Sequence, residues 1–373
     1  MRPIFAALAA ATAFICPSTD AIAQRAEPTD EIVVVGERAG PRFWRVKDED
    51  SEVFVLVSVD YVPEDFDWSE RQTAFVLEEA DLLIAPPRTK AGAGDRARFL
   101  LTAVNTLIFN RGRIVMPKGT TLGDKIGEGL AAQYDAAYAT AKARGAARKD
   151  RRKAARKLDE PPALEEFEDP NEKAIAEQLA KIDDSRLHPV FQGGRLIEAA
   201  IDGAGLAYFS DEVSDRIEKL ARKADVEIQP IAAFDIQFSD VTNFLKSVRN
   251  FSEETNVACV AAAIDFAEND LERAHNLARA WARGDAAYLR RVARPPEIDP
   301  CGLALSREIG GLATFGGATV ESVDPVGAWL VAIEDALETP GVRLAVVPLD
   351  TWLGPDVGVK DRLATRGATV IEP

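Results

Sequence analysis

The chain has 373 residues, 47% hydrophobic and 28% charged, with a net charge of −16. This suits a soluble globular protein with one large core, or one domain plus an insertion. The acidity argues against nonspecific nucleic-acid binding. Residues 1–23 read as a secretory signal peptide: Met1-Arg2 is the positive start, Ile4 to Ile15 the apolar stretch, and Ala21-Ile22-Ala23 the cleavage site before Gln24. That stretch is too short to span a bilayer, and no other apolar run is long enough. The mature chain is expected to be periplasmic or secreted, without a transmembrane segment. Cleavage would remove Arg2 and Asp20 and leave the net charge unchanged. Residues 24–40 read as an exposed leader holding one strand, Glu31–Val35.

Residues 41–373 read as a single domain. FWRV (43–46) and FVLVSV (54–59) form a predicted hairpin across the polar turn KDEDSE. Ser69, with Gln72 three residues on, marks a capping box and a helix to about Ala80. DLLI (81–84) and RIVM (113–116) are predicted strands, and Pro117-Lys118-Gly119 a turn. A helix from about Leu122 carries Ile126, Leu130, Tyr134 and Tyr138 at a spacing near four. A charged insertion follows at about 142–170, basic in KARGAARKDRRKAARK and acidic in DEPPALEEFED. It reads as a solvated helical extension beside a proline-broken loop.

The second half is mainly helical. A helix is predicted at Val213–Ala224 and a strand at Val226–Ile231. A long helix begins near Ser252, its apolar stripe running from Val257 to Trp281. Val326, Trp329, Leu330, Ile333 and Leu337 mark another helix, ending before Pro340-Gly341. The strand Arg343–Val347 runs into PLDTWLG, and a last strand lies near Thr369–Ile371. Strands at both ends around a helical middle predict an α/β fold, a mixed sheet in which N- and C-terminal strands meet, flanked by helices.

Ordinary catalytic signatures are missing. The chain has two histidines: His188 reads as a surface or loop residue, and His275 as a packing or surface residue of the long helix. Neither has zinc-ligand spacing to cysteine. There is no GxSxG elbow, P-loop or GxGxxG motif. After cleavage two cysteines remain, Cys259 and Cys301, and both a disulfide and two separate buried thiols stay open.

The residues do carry a resemblance. FWRVKDEDSEVFVLVSVDYVPEDFDW, ADLLIAPP, MPKGTTL, WARGD and LAVVPLDTWLGPDVGVKDRL occur in this order. In that order they resemble the TraB/GumN family, whose relatives include the Tiki proteases. The likeness runs from about Phe43 to Pro373. It implies two GxxH motifs and a glutamate as metal-binding and catalytic groups. Here Val57 and Asp60 stand at the first motif, Pro86 at the glutamate, and Pro348 and Thr351 at the second motif. The arginine that usually precedes the penultimate helix is replaced near Pro325. With both imidazoles and the glutamate lost, the resemblance implies a pseudoenzyme with no catalytic residue and no cofactor, bearing a binding role or an envelope protein partner. The alternative is a metal-dependent hydrolase with a rebuilt carboxylate site. There Asp60 and Asp350, with Glu64, would hold a divalent ion.

Overall fold

The computed structural model describes residues 40–89, 115–156, 186–231, 233–234, 248–294, 324–355 and 357–373, with 301, 304, 314–315 and 318–319. The expected signal peptide, the expected leader strand, Arg113-Ile114 and the acidic part of the insertion lie outside the described residues. Strands β1 (Phe43–Asp48) and β2 (Ser51–Ser58) form the expected antiparallel hairpin. Alternating residues of β1 are buried, Trp44 and Val46 among them, as a half-covered strand requires. Strand β3 is Tyr61–Pro63, helix α1 Arg71–Glu79 and strand β4 Leu82–Ala85.

Helix α2 (Gly123–Ile126) is separated from α3 (Glu128–Arg156) by Gly127. The helix predicted to run on from Leu122 is therefore interrupted: Gly127 has φ +83°, which costs little without a Cβ. Next come α4 (Pro189–Ala204), β5 (Leu206–Tyr208), α5 (Asp215–Lys223) and β6 (Glu227–Pro230). The long helix is α6 (Glu253–Asp265) and α7 (Leu271–Arg283), joined through a π turn at Phe266–Asp270. Helices α8 (Ala286–Val292) and α9 (Pro325–Leu337) precede β7 (Gly341–Pro348). The chain closes with α10 (Leu349–Leu353), α11 (Val359–Thr365) and β8 (Thr369–Ile371).

The main sheet has the order β8-β1-β2-β7-β4-β6. The hairpin and β8 are antiparallel neighbours, whereas β2, β7, β4 and β6 run parallel. Central strand β7 is a continuous apolar run because both its faces are covered; Leu344 to Val347 are fully buried. One core packs around this sheet and includes Trp44, Trp281, Trp329 and Trp352. A second core joins α3, α4 and α6 through Tyr134, Leu196, Val260 and Ile264. A two-stranded ladder between β3 and β5 links the sheet to the helical part. Among the described residues no helix is long and apolar enough to cross a membrane.

Two local expectations are corrected. Ser69 does not cap α1: the cap position is Glu70, with no side-chain capping bond. Glu70 instead receives Arg216 from α5, and Arg216 also donates to the Phe66 carbonyl and lies over the Trp68 ring. Contacts from across the chain thus replace the local cap. His188 is not on the surface: it is 3% exposed, at the start of α4. Pro189 opens that helix, and the hydrophobic packing of its first turn carries the preceding histidine inward.

The basic run extends α3 to Arg156, and most of its charged residues are exposed. Arg148 is the exception. Its guanidinium bridges Glu64 at 2.6 Å and Asp202 at 2.5 Å, and Arg152 pairs with Glu64 and Asp65. The structure also joins Cys259 of α6 to Cys301 in a disulfide.

Candidate functional site

Three adjacent parallel strands, β2, β7 and β4, end at one edge of the sheet. The residues just beyond a parallel sheet's carboxyl ends are where α/β proteins place ligands. At that edge Val57 pairs with Val347 and Ser58 with Pro348. Asp60 follows β2, Thr351 and Asp350 follow β7, and Pro86 follows β4. All five sequence-selected positions, Val57, Asp60, Pro86, Pro348 and Thr351, therefore belong to one end of neighbouring strands.

Long-range contacts fix this edge. Trp281 of α7 donates from Nε1 to the carbonyl of Val57 at 2.6 Å. Its ring packs against Phe66, Trp68 and Phe209. Gly284 then turns the chain with φ +69°, where a Cβ would stand 2.7 Å from the Gly40 carbonyl. Asp285 caps α8 by accepting from the Tyr288 amide. The WARGD segment is thus a helix end whose Trp anchors β2, whose Gly reverses the chain and whose Asp starts the next helix.

Beside Asp60 lies a cavity of about 160 Å³, lined by Tyr61, Phe266, Asp270, Arg273 and Leu277 among others. The Phe209 amide donates to the Asp60 carbonyl at 3.0 Å and holds the backbone there. The Asp60 side chain is open to solvent, yet protein surrounds it on most sides. Desolvation, then the neighbouring charge of Asp350, pushes its carboxyl above the usual range; Arg273 opposes this and Asp270 adds to it. Tyr61 packs against both Tyr208 and Phe266, with ring centroids 5.3 Å apart in each pair. Burial, followed by Tyr208 and the two acids, raises its phenol and keeps it protonated.

Asp350 is held from two sides. The Arg294 amide donates to it at 2.8 Å, and the Arg273 guanidinium lies 3.7 Å away. Arg273 also donates to the Val292 carbonyl, while Arg294 pairs with Asp270 at 3.2 Å. The structure brings Asp60 and Asp350 into electrostatic contact. It does not add Glu64, whose carboxylate is engaged by Arg148 and Arg152. Thr351 is buried and does not line the cavity.

The donor set does not fit a transition-metal centre. Proline has no side-chain ligand, threonine has a neutral hydroxyl, and no imidazole stands at this edge. Among the described residues no three His, Cys, Asp or Glu side chains converge as ligands. Asp270, Arg273 and Phe266 were not identified from sequence. Phe266 and Asp270 bound the π turn and Arg273 follows in the next turn of helix, so a stripe counted at 3.6 residues per turn loses register there.

Comparison with curated proteins and with solved structures gives no significant match. The family profile described as TraB/PrgY/gumN matches residues 42–372, nearly the whole domain. The chain belongs to the TraB/PrgY/gumN family.

Proposed function

We propose that this protein is an exported, non-catalytic member of its family that uses the altered cleft to bind a ligand. Export rests on the signal-peptide pattern of residues 1–23. The observation that carries the non-catalytic reading is the side-chain set at the sheet edge. Asp60, Pro86 and Thr351 lie at that edge, where the resemblance expects two imidazoles and a glutamate, and β2 is anchored there by Trp281. The cleft keeps a chemical preference: Asp60, Asp270 and Asp350 face Arg273 and Arg294, leaving one carboxylate in excess. With the aromatic wall of Tyr61 and Phe266, this complements a small cationic group.

The rebuilt carboxylate-metal site is the weaker reading, because Arg273 already supplies a positive charge to Asp350. The test is a peptidase assay on the chain from Gln24 onward, with Mn²⁺, Co²⁺ or Zn²⁺ and with chelator. No metal-dependent cleavage is expected. Turnover abolished by chelator and restored by metal would overturn the reading.

A further inference from the structure

The helical core holds a second titratable group, remote from the sheet edge in sequence and unused by the cleft. His188 is 3% exposed, and neither ring nitrogen has a hydrogen-bond partner among the described residues. Its ring meets Phe251 edge-on, with centroids 6.2 Å apart. Asn256 of α6 donates to the Phe251 carbonyl, and its own Oδ1 is also buried without a partner among the described residues. The beginnings of α4 and α6 therefore meet through Phe251, with unsatisfied polar atoms on both sides. A neutral imidazole tolerates such a place at modest cost, whereas an imidazolium does not.

Among the described residues the surrounding charges give no relief. Lys125 of α2 acts on the ring and disfavours a second positive charge. Arg186, before His188, and Glu253 and Glu254, at the start of α6, are exposed. Val115 and Met116, which meet the segment before α4, carry no charge. Burial first, then Lys125, pushes the imidazole down to about 4.

We propose that His188 is an acid-sensitive latch: neutral, it lets the N-terminal ends of α4 and α6 pack together, and protonated, it releases them while the sheet stays folded. The sign follows from linkage. The opened state takes up a proton at the ordinary histidine value of about 6.5, and the closed state only near 4. The closed form is favoured fully above about 6.5 and loses ground as pH falls through that window.

The chain has two histidines, so proton NMR of the mature protein resolves each imidazole, with His188→Phe assigning the signals. We expect the His188 signal to remain neutral at pH 5. Hydrogen exchange should show α4 and α6 amides losing protection by about tenfold per pH unit between 6 and 4.5, beyond the intrinsic pH effect. Amides of β2 and β7 should not follow. His188→Phe should keep α4 and α6 protected at pH 4.5. A His188 midpoint at or above 6, helix and sheet amides opening together, or a His188→Phe protein opening like the wild type would each overturn the proposal. If that variant fails to fold, His188→Leu replaces it, and the wild-type exchange profile decides alone if both fail.

Discussion

Val57 and Val347 are register partners on the parallel strands β2 and β7. A few residues on, Asp60 and Thr351 leave the sheet at the same edge. Two segments from opposite ends of the domain thus converge on one edge, and neither brings a histidine to it.

Trp281→Phe tests how that edge is held. It removes the buried indole donor to the Val57 carbonyl. A loss of about 1–3 kcal/mol is expected, measured by urea denaturation. A neutral result would mean that the bond does not anchor β2.

Asp60→Asn is expected to stabilise the protein at neutral pH. The Asp60 carboxyl is raised in the folded state, first by desolvation and then by Asp350. Its ionised form therefore opposes folding above the folded value, and the penalty is absent below the unfolded value. Melting temperatures of both proteins from pH 7 down to pH 3 should converge on the acid side. The same variant should weaken binding of a cationic probe such as a short diamine, followed through the Tyr61 and Phe266 ring signals.

Arg148→Met should destabilise the fold by about 1–2 kcal/mol, since Glu64 and Asp202 lose a shared partner but keep access to water. Arg148→Lys should recover little of it, because an ammonium cannot bridge two carboxylates in the planar fork that a guanidinium provides. Denaturant titrations of the three proteins give the comparison.

The Cys259–Cys301 disulfide is expected to stabilise the fold. Its partners are 42 residues apart, and loop-closure entropy puts its contribution at roughly 4 kcal/mol. Dithiothreitol should shift the denaturation midpoint of the wild type and leave a Cys259→Ala, Cys301→Ala variant unmoved.

Elements built from local pattern were legible in the sequence. The runs at 54–59 and 344–347 announce strands because each is apolar and short, and Pro325 to Leu337 announces a helix by its spacing. The meeting of terminal strands followed from the order of those elements. What was not legible depends on residues far apart in the chain. The start of α1 is organised by Arg216 rather than by Ser69. Arg148 reaches Glu64, 84 residues away. His188 looks polar in its own segment and is buried by Phe251. The acids of the cleft were visible as Asp60 and Asp350, whereas the guanidinium beside Asp350 comes from Arg273, behind a π turn that hides its register.

The placement of β7 between β2 and β4 governs the order in which the protein can assemble. Ser51 bonds to the Thr339 carbonyl, 288 residues on, and the ladder begins there. Closing so long a loop is entropically slow. Until residues 341–348 emerge, the apolar faces of β2 and β4 lack the strand that joins them. A chain synthesised from its N-terminus therefore carries an unfinished, adhesive sheet for most of its synthesis. The full sheet is expected to form only once β7 is made, and a truncation that removes β7 should leave the β1–β2 and β4–β6 pairs unjoined.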